Sequence, residues 1–68
     1  MRKIKDKKEL EKLVKSGYQV GRYNETPPVV VAQFGGLGNG GAIKLVEPEL
    51  VEDIKMVKIS NNLSTYVF

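Results

Sequence analysis

Gln33-Phe-Gly-Gly-Leu-Gly-Asn-Gly-Gly-Ala-Ile-Lys-Leu-Val46 is the stretch on which the fold class of this 68-residue chain turns. It holds five of the seven glycines, and Gly36 to Gly41 within it spell G-x-G-x-x-G, the pattern of a phosphate-binding loop. In a dinucleotide-binding unit that pattern leads from a strand into a helix whose N-terminus holds the pyrophosphate. Here Ile43, Leu45 and Val46 favour a strand, and Pro48 follows before a helix could grow. With a strand on either side the loop is a hairpin connection, and the chain reads as α+β rather than α/β. Gly36, Gly38, Asn39 and Gly41 remain candidate contact residues, because backbone amides in such a loop can cradle an anion or order against a partner.

Over eight residues the loop also resembles the glycine-rich loop of protein kinases, with Gly36, Gly38 and Gly41 in its glycine positions and Ile43 where Val is usual. The Lys, catalytic-loop and metal-binding Asp motifs of that family have no room in the chain, so no kinship follows.

Upstream of this stretch, Asp6-Lys-Lys-Glu9 has the form of a capping box and predicts a helix from Lys7 to Ser16. Leu10, Leu13 and Val14 give it one apolar stripe, and Gly17 suits the left-handed residue that closes a helix, with Tyr18 then lying over Leu13. Tyr18–Tyr23 and Val29–Phe34 read as strands joined through Asn24-Glu-Thr-Pro-Pro28. Downstream, Ala42–Val46 is a third strand, and Pro48 opens one helical turn over Glu49–Asp53. Ile54–Ser60 and Leu63–Phe68 then form a hairpin about Asn61-Asn62, residues that tolerate a positive φ. The order Ile54, Met56, Val57, Ile59 breaks strict alternation, which predicts a bulge or a strand covered on both faces. The expected architecture is one domain over residues 1–68: a basic segment 1–6, a helix 7–17 packed on a small antiparallel sheet of four to five strands curling toward an open barrel, and a Gly-rich loop 35–41.

Size and composition narrow the function. A chain this short buries roughly 60% of its unfolded surface and retains a net stability of roughly 3–5 kcal/mol, which leaves little core for an enclosed active site. It has no Cys and no His, so disulfides, the usual zinc sites and nucleophile–histidine catalysis are all excluded. No cofactor and no metal are expected, and the chain reads as a non-enzyme. The acidic run Glu47, Glu49, Glu52, Asp53, with Asp53-Ile-Lys55 like half of a metal-dependent nuclease motif, is read as structural. Met-Arg-Lys-Ile-Lys at the start leads into charge, and the longest apolar run, Pro27–Ala32, is far short of the roughly 18 residues of a membrane span. A cytoplasmic protein with no membrane contact is expected.

Net charge is +3, and it is unevenly spread: +4 over residues 1–17 (seven Lys/Arg, three Asp/Glu), +1 over 18–46 (two and one) and −2 over 47–68 (two and four). Arg2, Lys3, Lys5, Lys7 and Lys8 are the candidate phosphate contacts, with Arg22, Lys44, Lys55 and Lys58 able to extend the patch. Nine Lys to two Arg favour backbone attraction over base reading. The first functional expectation is therefore a small accessory protein binding nucleic acid backbone, or another anionic partner, without sequence preference. The alternative is a protein-interaction or homo-oligomeric assembly module, or an inhibitor of a larger enzyme, using a sheet edge and the Gly-rich loop. Tyr66-Val-Phe68 is read as core, or as the edge strand that a partner would join.

Overall fold

Asp6 starts the helix: its backbone is extended and its Oδ1 accepts from the Lys8 amide at 3.0 Å. In the computed structural model, which describes residues 3–37 and 41–68, helix α1 runs Lys7–Lys15. It ends at Ser16, and Gly17 takes φ 104° while its amide donates to the Val14 carbonyl at 3.1 Å. Tyr18 is not explained by the helix cap alone. Its ring lies against Phe34, with centroids 5.3 Å apart and planes tilted by 59°.

Among the described residues there are six strands, β1(Lys3–Ile4) before the helix and β2(Tyr18–Tyr23), β3(Val29–Phe34), β4(Ile43–Val46), β5(Lys55–Ser60) and β6(Leu63–Val67) after it, with a 3-10 turn at Pro48–Val51 between β4 and β5. They form one sheet in the spatial order β1-β4-β3-β2-β6-β5. Every neighbouring pair is antiparallel except β1 with β4, which is parallel. The sheet is therefore mixed and six-stranded, not antiparallel with four or five strands, and it is open, with β1 and β5 at its edges. The extra strand comes from the basic head. Ile4 is only 4% exposed, and its carbonyl accepts from the Glu47 amide at 2.9 Å, so burying one apolar side chain draws a charged segment into the sheet.

Alternation along the strands divides the molecule into two faces. One carries Ile4, Val20, Val30, Ala32 and Val46, which share a single core with Leu10 of α1 and Val51 of the 3-10 turn. Leu13, Val14 and Tyr66 pack against that core. On the opposite face Val31 and Gln33 are also buried, although they stand outside the core cluster. Tyr23 donates its hydroxyl proton to Gln33 Oε1 at 3.2 Å there, so a buried amide on the second face is satisfied by a neighbouring strand.

The β5–β6 hairpin departs from the expected turn. No described non-glycine residue has a positive φ, so Asn61-Asn62 does not use the left-handed conformation. The pairing instead shifts register between Lys58 and Ser60, and Ile59 is the bulged residue that the broken alternation anticipated. Coverage on both faces is not found, since all six β5 residues are exposed. Nor is the last strand an edge, because β6 pairs with β2 on one side and β5 on the other.

Candidate functional site

Three regions compete as sites: the basic head, the Gly-rich loop and the free edge of β5. In the head, α1 and β1 fix the lysines. Lys3 Nζ stands 3.8 Å from Glu47 Oε1, and Lys7 Nζ 3.5 Å from Asp53 Oδ2. The positive head is thus folded back on the acidic run of its own chain. Both pairs are long and open to solvent on at least one side, so each contributes little to stability. Lys5 and Lys8 are exposed and form no ion pair among the described residues, while Arg2 lies outside them. Of the basic residues outside the head, Lys44 lies on β4 beside β1, while the other three lie on β2 and β5. Pairing of Arg22 with Ser64 and of Ser64 with Lys58 puts those two cations on the core-side face, whereas Lys55 points to the other.

The Gly-rich loop joins β3 to β4, which are antiparallel, so the helix and βαβ frame of a dinucleotide site are absent. Gly35 and Gly36 turn the chain with φ of 88° and 97°. Leu37 then folds back onto the sheet, where its amide donates to Gln19 Oε1 at 3.3 Å. Gln19 Nε2 in turn donates to Thr65 Oγ1 at 3.1 Å, and that hydroxyl donates to the Val20 carbonyl at 3.3 Å. The first half of the loop is consequently anchored through β2 to β6, rather than standing free as a hairpin tip. At its far end a Cβ on Gly41 would overlap the Phe34 carbonyl oxygen. Gly38 and Asn39 lie outside the described residues. Of the four loop candidates, Gly36 and Gly41 therefore have structural duties, one turning the chain and the other passing close to its own backbone.

The third region is the one that sequence reasoning placed on the wrong strand. β5 is six residues long, contains no Pro and forms one border of the sheet, so alternate backbone N–H and C=O groups along it have no strand to pair with. Met56, Val57 and Ile59 on it are 40%, 43% and 54% exposed, and Val67 of the adjacent β6 is 50% exposed. Two lysines, Lys55 and Lys58, are its only charged guards. The signal was present in the sequence: apolar residues at both parities suit a strand whose two faces both expect cover.

Among the described residues no group of three or more acidic side chains is placed to hold a metal ion, and the run Glu47–Asp53 is split by the 3-10 turn. No helix among them is long and apolar enough to cross a membrane. The chain matches no known family model, no curated protein and no solved structure.

Proposed function

We propose that this protein is a non-enzymatic assembly module that associates through the free edge of β5, with a second copy of the chain as its partner. The observation that carries this reading is the exposure of all six β5 residues at a sheet border. An exposed edge with three apolar residues and only two charges can take up a further strand, and strand addition satisfies its backbone and side chains together. A two-fold axis through Val57 would set Val57 opposite its own copy and Met56 of one copy opposite Lys58 of the other, on the same face, with no Lys facing Lys. The lack of His and Cys in the sequence supports the non-enzymatic part.

Light scattering tests the proposal directly. A dimer mass at tens of micromolar that falls to the monomer in Ile59→Lys, with an unchanged amide spectrum, is the expected result. A wild-type monomer at about 1 mM would sink it, that being a concentration at which even a weak pair associates. A stable complex with a larger enzyme, formed by the monomer alone, would move the reading to the inhibitor class.

A second reading rests on the exposed lysines. Lys5, Lys8, Lys12 and Lys15 are exposed along β1–α1, and the Lys3 and Lys7 pairs are open enough for a phosphate to displace their carboxylates. On that reading the head binds nucleic acid backbone. Fluorescence anisotropy with a labelled duplex should show binding that weakens steeply between roughly 50 and 200 mM salt. Salt-independent binding, or none at low salt, removes it.

A further inference from the structure

The β2–β3 loop, the 3-10 turn and the β5–β6 hairpin enclose an open cleft of about 580 Å³ on the core-side face. All three prolines of the chain, Pro27, Pro28 and Pro48, line it, together with Val30 and the Tyr66 ring. Prolines carry little conformational freedom, so these walls are set before anything binds. A volume in this range, apolar walls and few polar groups are the ordinary composition of a small-molecule site.

Among the described residues Arg22 is the one cation lining the cleft. Its Nε donates to Asn24 Oδ1 at 2.9 Å, and the Asn24 side-chain amide donates in turn to Ser64 Oγ at 3.3 Å and, at the limit of 3.5 Å, to the Asn61 carbonyl. Asn24 thereby ties the guanidinium to β6 and to the β5–β6 turn. That hydrogen bond uses one of the five N–H donors of the guanidinium, and among the described residues no carboxylate pairs with it. Glu52 also lines the cleft but forms no ion pair with Arg22. A half-buried guanidinium held by its Nε, with its other donors unpaired beside apolar walls, is arranged to donate to two oxygens of a planar anion.

We propose that this cleft binds a small monocarboxylate with an apolar ring, the carboxylate on Arg22 and the ring against the prolines and Tyr66. Glu52 selects for single charge: a phosphate dianion would meet its carboxylate, whereas a monocarboxylate loses less to that repulsion. The apolar walls reject a free inorganic anion, which has no surface to bury there. The cleft meets the β5 edge at Met56, so ligand binding is read from the acid–amide comparison and association from the light-scattering mass, each by its own measurement.

The test is a titration of the wild-type protein with phenylacetate, phenylacetamide and inorganic phosphate, followed by methyl and amide NMR. Saturable shifts at Val30, Val51, Ile54 and the Met56 methyl are expected with phenylacetate, with affinity about tenfold or more above that for phenylacetamide, as loss of a charged hydrogen-bonding pair predicts. Arg22→Gln should remove that preference while leaving the weaker binding of the amide in place. Arg22→Lys, which keeps the charge without the planar fork, should lie between the two. Equal affinity for acid and amide, no saturation by about 10 mM, or tighter binding of phosphate would each overturn the proposal. The comparison of acid with amide needs no variant, so a folding defect in Arg22→Gln does not protect the idea.

Discussion

Leu37 closes over Gly21. A Cβ placed on Gly21 would stand 2.5 Å from Leu37 Cδ1 and 2.7 Å from the Ser64 carbonyl oxygen, so the leucine of the Gly-rich loop occupies the notch that the missing side chain leaves in β2. The leucine could swing away, but the Ser64 carbonyl belongs to the paired strand β6 and cannot. Gly21→Ala should therefore cost about 1–3 kcal/mol, as overpacking does, and should detach the loop as well. Urea unfolding gives the first quantity. Hydrogen exchange at the Leu37 amide gives the second, and Gln19→Ala should speed that exchange with a smaller loss of stability.

Gly35 and Gly41 bracket the same loop but are glycine for different reasons. Nothing lies within 4 Å of a Cβ on Gly35, and only its φ of 88° resists a side chain, so Gly35→Ala should cost about 1–2 kcal/mol. At Gly41 the obstacle is the Phe34 carbonyl itself, beside the 2.9 Å bond from the Phe34 amide to the Ala42 carbonyl that begins the β3–β4 pairing. Gly41→Ala should be the worse variant, losing about 2–3 kcal/mol or more as that end of the ladder opens. Equal denaturation midpoints for the two variants would contradict this account.

Leu10 is fully buried at the centre of the only described helix. Leu10→Ala removes about 2–5 kcal/mol, and a domain of this size has roughly 3–5 kcal/mol to lose. The variant should be largely unfolded at 25 °C by circular dichroism, whereas Leu13→Ala, at a half-buried position, should fold with a lowered midpoint.

The Lys7–Asp53 pair should matter more for charge than for stability. Lys7 is 48% and Asp53 75% exposed, and such a pair contributes about 0–1 kcal/mol. Asp53→Asn should leave the urea midpoint nearly unchanged. If the head binds a polyanion, releasing Lys7 should tighten binding and steepen the logarithmic salt dependence by about one unit. An unchanged slope would separate Lys7 from any such contact.

Local order was legible in the sequence where one short segment supplied its own reason. Asp6 and Gly17 bound the helix at both ends because caps are satisfied by neighbours in the chain. Val29–Phe34, β-branched and entered through two prolines, is the strand its residues predict. The broken alternation before Ser60 is a bulge. Legibility ended where the reason lay across the sheet. Nothing near Lys3-Ile4 announces that Ile4 will pair beside Val46, and nothing near Gly21 announces that Leu37 will fill its place.

By itself, then, the sequence determined the helix, the strands Tyr18–Tyr23 and Val29–Phe34, the absence of a dinucleotide helix after Gly41 and the absence of His/Cys chemistry, because each depends on backbone preference or on residue type alone. Tertiary structure decided the rest: the parallel β1, the position of β5 rather than β6 at the border, the ion pairing of the basic head with its own acidic run, and the setting of Arg22 among three prolines. The physical reason is that strand neighbours and side-chain partners are chosen by burial and hydrogen bonding between segments far apart in the chain. Local pattern records that each segment needs a partner but does not record which one it finds.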